Sequence, residues 1–421
     1  MEIQLDGGLA GAASPFDLLE RLQHGRSQWH VEAPASLEPW NVPERIEVAA
    51  FYLPQFHRID VNDRAWGAGS TDWSNVTRTQ PRFLGHLQPH LPADLGFYDL
   101  TNDDVLPRQV ELARHYGVSH FCYYWYWFGG TKVLHRPVES LLRHTGIPIR
   151  FCLCWANENW SRRWDGNDQE VILAQPHDPA VDARLIHDVL PFLADARYTR
   201  IDGAAVFVII RPDLIGNGLP RVLDSWRESA LKAGVGELLL LSTNHVRFRD
   251  FAATGLDGIV EFPPHEHWHT GLRATPNELF FDKGFQGHIA DYDDAVRRFT
   301  GEPPDAIPRI PGVFPAWDNT ARRRSQAFVF VNSTPAKYED WLTRAILRSD
   351  RAGKFRRFVF VNAWNEWAEG AHLEPCRWYG HAHLKATRDA IVAAAARLRE
   401  AGSATPVTAS PNSRAAGPPA Q

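Results

Sequence analysis

Eight apolar runs of strand length recur along the chain, and most are apolar throughout rather than at alternate positions. They are Val48–Phe56, His120–Phe128, Ile149–Asn157, Ala204–Arg211, Glu237–Asn244, Gly258–Pro263, Ile310–Trp317 and Phe358–Trp364. A strand with one face in water alternates; a strand covered on both faces does not. Helical patterns lie between several of these runs. Asp103–Tyr116 ends at Gly117, a C′ glycine, and Pro179–Ala196, Leu219–Ala233 and Pro335–Asp350 have helical length and period. His381–Ala401 closes the set as a long helix rich in Ala and Arg. Buried strands alternating with helices predict an α/β chain folded as a (β/α)8 TIM barrel, a single domain with long βα loops. An open doubly wound sheet would carry a glycine-rich phosphate loop after an early strand, and neither GxGxxG nor GxxxxGK[ST] occurs.

The barrel is expected to occupy residues 46–400 of the 421. Residues 1–45 form an N-terminal extension, with a short helix over Phe16–His24 and a loop over Pro34–Pro43. Residues 401–421 are Ala, Ser, Pro and Gly with almost no large apolar side chain, too little to offset ordering entropy, so a disordered tail is expected. The net charge of −5, with no long Lys/Arg block, argues against a nucleic-acid partner; Arg322-Arg323-Arg324 is too short a run to change this. Of the four Cys, Cys122, Cys152 and Cys154 sit inside apolar runs and read as small buried hydrophobes, neither a disulfide framework nor a zinc ribbon. MEIQLDGGLAGAAS lacks a basic start, and no apolar run reaches the roughly 18 residues of a membrane span, so the expectation is a cytoplasmic protein without an integral membrane segment.

In such a barrel, chemistry sits at the carboxyl ends of the strands. Those ends here are polar and aromatic. The first offers Tyr52, Gln55 and His57, and the second Tyr124 to Trp127. The third offers Trp155, Asn157, Glu158, Asn159 and Trp160; the fourth and fifth end in Arg211 and Asn244. The sixth gives Glu261 and His265, and the seventh Trp317, Asp318 and Asn319. The eighth runs into NAWNEWAEGAHLEP, with Asn365, Glu366, Glu369, His372 and Glu374 among Trp364 and Trp367. Sixteen Trp in one chain suit a site that stacks on the apolar faces of sugars. Glycosidic chemistry needs an acid for the leaving oxygen and a second group to meet the developing cation, and two carboxylates are the usual solution. Glu366 and Glu369 are the candidate pair; on a helical turn their Cβ atoms would lie roughly 5–6 Å apart, which suits retention. A like charge and nearby indoles would raise one of the two pKa values and make that residue the acid. Glu158 is a third candidate, or else a carboxylate that orients Arg162 or Arg163. His265, His267 and His269 alternate in PPHEHWH; without a matching carboxylate they suit sugar hydroxyls better than a metal, and no metal or cofactor is expected. Asp103-Asp104 reads as a helix cap rather than the acidic pair of a nucleotide-sugar transferase.

FYLPQFH (51–57), NDRAWGAGSTDW (62–73), GHLQPHLP (85–92), FCYYWYWF (121–128), LCWANENWSRRWDG (153–166), VEFPPH (260–265), PGVFPAWDNTARR (311–323) and NAWNEWAEGAHLEP (362–375) together resemble the WbsX-type glycosyltransferase-like family, which is related to glycoside hydrolase family 99. The resemblance spans about residues 46–385 and implies a (β/α)8 fold and a carbohydrate substrate. In glycoside hydrolase family 99, retaining endo-α-mannosidases use a first Glu as base on the sugar 2-hydroxyl and a second as acid/base. Carried across by motif, these are Glu366 and Glu369. The strand ends and these motifs together give as candidate substrate-binding residues Tyr52, Gln55, His57, Asp72, His86, Tyr126, Trp155, Asn157, Glu158, Trp160, Arg163, Glu261, His265, Trp317, Asp318, Asn365 and Glu374. The sequence departs at Ala368, where that family has His, which turns the expectation from an endo-mannosidase toward the remodelling of a bacterial surface polysaccharide. Two alternatives stand beside this hydrolase-like reading: a glycosyltransferase of lipopolysaccharide or O-antigen biosynthesis, and a non-catalytic glycan-binding barrel.

Overall fold

The computed structural model describes residues 3–9, 11–12, 14–162, 167–245, 248–265, 272–273, 280–301, 303 and 306–403. The eight apolar runs form eight parallel strands: β1 (Glu47–Tyr52), β2 (His120–Phe128), β3 (Arg150–Trp155), β4 (Ala204–Ile209), β5 (Leu238–Thr243), β6 (Gly258–Val260), β7 and β8 (Phe358–Val361). β7 is two short pieces, Arg309–Ile310 and Gly312–Val313, either side of Pro311. The first piece pairs with β6 and the second with β8. The sheet therefore runs 7-6-5-4-3-2-1-8-7 and returns to its start, which closes the barrel and removes its edges.

Closure requires backbone to approach backbone at the seam. A Cβ on Gly312 would stand 1.9 Å from the Glu261 carbonyl oxygen, so only glycine fits there. The Gly312 N–H donates to the Glu261 carboxylate at 3.2 Å, and the same carboxylate takes an ion pair from Arg348. Glu261 thus ties the seam to the outer helix.

The outer layer contains α2 (Val105–His115), α3 (Arg136–Arg143), α4 (Leu185–Leu193), α5 (Leu219–Lys232), α6 (Tyr292–Thr300), α7 (Pro335–Ser349) and α8 (Ala382–Ser403). The expected helix over Pro179–Ala196 is divided into Pro179–Asp182 and α4. α3 and α6 were not anticipated by the sequence reading, and among the described residues the β5–β6 connection holds only the short turn Ala252–Thr254. The Asp103-Asp104 pair does not cap by the expected bond: the Asp104 side chain makes no capping contact, and Asp103 accepts the Ser140 hydroxyl at 2.7 Å. All four Cys are free and buried. No helix among the described residues is long and apolar enough to cross a membrane.

Both faces of the strands are covered, as their composition demands. Inside the barrel Phe51 packs on Tyr124, Phe262 and Phe360, with centroids 5.8, 4.5 and 5.2 Å away. Outside it, Trp155 meets Trp226 of α5 at 5.9 Å and Trp125 meets Phe192 of α4 at 5.1 Å. Ahead of the barrel, α1 (Pro15–His24) buries Leu18 and Leu22, and Val31 bridges to Gly380 beyond β8. The expected tail over 401–421 lies almost wholly outside the described residues.

Several short strands outside the eight runs were not expected, Phe328–Val331 and His288–Asp291 among them. Phe328–Val331 has the same FVFV sequence as β8, yet it leaves the barrel and pairs in parallel with His288–Asp291. Its Phe328 and Phe330 face the main core. Val329 and Val331 join a separate small core with Phe83, Phe280, Phe285, Ile289 and Ala327. This small sheet steadies the loop that follows β7.

Gly312→Ala is expected to open the seam and cost at least about 2 kcal/mol, as substitutions that force backbone apart do. Chemical denaturation measures it; an unchanged unfolding midpoint would contradict this closure.

Candidate active site

A cleft of about 870 Å³ opens at the carboxyl ends of the strands. That volume is ample for several sugar residues. One wall is aromatic. Tyr124, Tyr126 and Phe128 are alternate residues of β2 and so share a face; Trp160 stacks on Tyr126 at 5.5 Å and on Phe128 at 6.3 Å, with nearly parallel planes. The Gln55 amide donates to the Tyr126 hydroxyl at 2.9 Å. The opposite wall carries His245, His265 and Phe262, whose rings pack together; His265 donates through Nδ1 to the Phe262 carbonyl, 3.1 Å away.

The floor is built by the segment after β8. Asn365–Glu366 pairs in antiparallel fashion with Ala371–His372, and a tight turn over Trp367–Glu369 joins them. Gly370 closes the turn at φ +62, where a Cβ would press on Asp318 at 3.1–3.2 Å. The Asp318 N–H donates to the Glu369 carbonyl at 2.7 Å, tying the β7 and β8 loops together. Glu366 and Glu369 both reach the cleft.

Between them stands Arg322, which the sequence reading passed over. Its Nη2 donates to Asp72 at 2.7 Å and to Glu366 at 2.9 Å, and its Nη1 donates to Glu369 at 2.7 Å. Three carboxylates share one guanidinium in a place where the Asp72 side chain is 0% exposed and that of Glu366 is 5% exposed. Burial raises the Glu366 carboxyl, Arg322 lowers it, and the Glu369 and Asp72 charges raise it again; the outcome is a pKa of about 8. The carboxylates in turn hold the Arg322 guanidinium firmly charged against the burial that opposes it. A clue was present in the sequence: three carboxylates at a buried floor demand a cation, and Arg322 follows β7 in the quoted motif PGVFPAWDNTARR.

The remaining expected site residues divide into two groups. Gln55, Tyr126, Glu158, Trp160 and His265 line the cleft, and Glu158 faces Arg211 at 3.5 Å. Asp72 sits beneath it on Arg322, and Asn75 donates to its carboxylate at 2.9 Å. The others do not line the cleft. Tyr52 points outward and donates to Gln109 of α2 at 2.7 Å, and Trp155 donates to the Trp127 carbonyl at 3.2 Å among the outer indoles. Asn157 clamps the Arg211 backbone on both sides, at 2.7 and 2.8 Å, and Asn365 does the same to Leu53 at 2.7 and 3.0 Å. Glu261 belongs to the β7 seam. His57 is buried beside a separate surface hollow, and burial brings its pKa down to about 4. Trp317 is buried. His86 lies against Asp318, which also takes Gln88 at 2.8 Å; burial raises the Asp318 carboxyl, but His86 and the Thr320 N–H outweigh it and bring it to about 2. Glu374 is buried behind the floor, where burial outweighs the donors Trp367, Gln109, Tyr98 and Trp364 and leaves it at about 7. Arg163, His267 and His269 lie outside the described residues.

The model of the family described as Glycosyltransferase WbsX matches residues 48–387. Two proteins named "Uncharacterized protein WxcX", from Xanthomonas campestris pv. campestris strains B100 and ATCC 33913, are each 40% identical, over 366 and 348 residues. Those stretches are 87% and 82% of this chain but 52% and 50% of the relatives, so the chain spans about half the length of the curated relatives it matches. Among solved structures, a GH99 endo-alpha-mannosidase from Bacteroides thetaiotaomicron superposes with a TM-score of 0.50 at 14% identity, covering 85% of this chain and 99% of that one. A "glycoside hydrolase-like protein" gives 0.53 at 15%, covering 86% and 98%. At these identities the structural likenesses bear on the fold alone, and they agree with the barrel.

Arg322→Met leaves the buried carboxyls of Asp72 and Glu366, and the half-buried one of Glu369, without their cation. Such a loss costs about 3–5 kcal/mol. The cost is expected to be larger at pH 8 than at pH 5, where the carboxyls can take up protons instead. In the unaltered protein Glu366 and Glu374 hold protons well above the unfolded value, so the stability they contribute is lost as pH rises from about 4.5 to about 8; His57, His90 and His383, brought by burial to about 4, 4 and 3, act the other way up to about pH 6.5, so the net fall is expected between about pH 6.5 and 8. Unfolding free energies across that range, with Glu366→Gln flattening the upper part, check both statements.

Proposed function

The chain belongs to the WbsX glycosyltransferase family, and from that premise we propose that it is a carbohydrate-active enzyme that cleaves or remodels glycosidic bonds of a bacterial surface polysaccharide with retention of configuration. The observation that carries this reading is the pair Glu366 and Glu369, held by one guanidinium on the floor of a cleft with an aromatic wall. Carboxylates that share one guanidinium stand close together. That favours the retaining geometry of about 5–5.5 Å over the inverting one of about 6.5–9.5 Å, which must admit a water.

The proposed chemistry has two steps. In the first, Glu366 takes the proton of the sugar 2-hydroxyl, O2 bonds to C1, the C1–O bond to the leaving sugar breaks, and Glu369 gives its proton to that oxygen. In the second, Glu369 takes a proton from water, the water oxygen bonds to C1, the C1–O2 bond breaks, and Glu366 returns its proton to O2. An acceptor hydroxyl in place of water makes the second step a transfer. The first step requires a free 2-hydroxyl trans to the leaving oxygen. Tyr126, Phe128 and Trp160 offer the surface on which sugar rings stack.

Incubation with a panel of bacterial surface polysaccharides and mannans, read by mass spectrometry and anomeric NMR, tests this. Turnover is expected to fall at least about 100-fold in Glu366→Gln and Glu369→Gln. The first step needs one proton on the pair, carried by Glu369 while Glu366 is ionised; because the pair loses its last proton near pH 8, kcat/KM is expected to fall as pH rises through that value. Unchanged turnover in Glu369→Gln would sink the two-carboxylate reading. A second reading, transfer from a nucleotide sugar, is favoured by the family's description, and calorimetry across a donor panel separates it: saturable donor binding supports transfer.

A further inference from the structure

The ladder that carries Glu366 has two residues on each side, Asn365–Glu366 against Ala371–His372. So short a ladder cannot by itself hold a side chain to the precision that proton transfer requires. Both chain neighbours of Glu366 are instead tied to one buried carboxylate. Trp367 donates through Nε1 to Glu374 Oε2 at 2.7 Å. Tyr98 donates its hydroxyl to the same oxygen at 2.8 Å and receives the Asn365 amide at 3.2 Å. Gln109 donates to the other oxygen, Oε1, at 2.6 Å, and its own carbonyl receives the Tyr52 hydroxyl at 2.7 Å. Glu374 is 1% exposed, and these three donors are all neutral.

We propose that Glu374 is the positioning residue for Glu366: its carboxylate fixes Trp367 directly and Asn365 through Tyr98, and so sets where the Glu366 carboxyl stands on Arg322. This rests on the reading of Glu366 as the base, but only the catalytic consequence does; the positioning itself can be measured without a substrate. Glu374 touches neither the cleft nor the reacting atoms. It accounts for a carboxylate in the floor motif that two-carboxylate chemistry does not use.

The hydrogen-bond directions allow a specific test. In Glu374→Gln the amide oxygen can take the place of Oε2 and still accept from Tyr98 and Trp367. The amide nitrogen then replaces Oε1 and meets the Gln109 nitrogen, donor against donor. Adding Gln109→Glu restores a donor–acceptor pair, since the carboxylate introduced there accepts from the amide introduced at position 374 and from Tyr52. The probe is the titration of Glu366 itself, followed by carbon NMR of protein labelled at the glutamate side-chain carboxyls and assigned with Glu366→Gln. The single variant is expected to move the Glu366 midpoint by at least about 0.5 pH, and the double variant to bring it back. A midpoint that stays put in folded Glu374→Gln, or a double variant that fails to restore it, overturns the proposal. Where a turned-over glycan is in hand, the single variant is expected to lower kcat about 10–100-fold with KM little changed, and the double variant to recover it. If the titration responds while no glycan is turned over, the positioning stands and the enzymatic reading fails.

Discussion

One guanidinium holds the site together. Arg322 comes from the loop after β7, Glu366 and Glu369 from the segment after β8, and Asp72 from the long connection after β1. Three pieces of chain distant in sequence therefore converge on one cation. Removing water from three carboxylates is costly, and the cost is contained only because their charges meet at hydrogen-bonding distance from the same donor group. Three negative charges around one positive charge still leave an excess. The excess appears as a proton kept on Glu366 far above the ordinary carboxylate range. The same arrangement that makes the floor electrostatically tense supplies a group whose ionisation falls within the reach of biological pH.

Much of the barrel was legible because burial on both faces leaves a direct trace in composition. Runs such as Leu238–Thr243 have no polar face to show, and all eight expected runs became barrel strands. That same uniformity hid which side chains look inward. Tyr52 and Phe51 are both apolar enough for either face, yet Phe51 lies inside the barrel and Tyr52 reaches Gln109 outside it. Trp155 and Tyr126 differ in the same way. A site read from strand ends therefore mixed residues of both parities. Identical sequence does not settle placement either. FVFV at Phe358–Val361 is a barrel strand, whereas FVFV at Phe328–Val331 pairs with His288–Asp291, because what covers a strand is decided by its partners and not by its own letters.

The carboxylates were the readable part of the floor, since their chemistry requires that residue type. Their supports were not. Arg322 lay in a run of three arginines weighed only against a nucleic-acid partner, and its burial among Asp72, Glu366 and Glu369 shows which of the three the floor uses. Two polar residues expected to touch sugar serve backbone instead: Asn157 and Asn365 each clamp a neighbouring main chain as a second strand would. Amide side chains imitate peptide groups well, so sequence alone does not separate a sugar ligand from a main-chain splint.

The loop that delivers Arg322 has a second footing beside the main core. Its following strand turns Phe328 and Phe330 to the main core and Val329 and Val331 to the small core around Phe83 and Phe285. The loop that carries the cation is thus anchored in both cores, whereas Ala363, Trp364, Trp367 and Ala368, around Glu366 and Glu369, lie in the main core alone. Substitutions in the smaller foundation can retune charge at the floor while the barrel stays whole. Lineages of this architecture have a route to drift in reactivity without first gambling the scaffold.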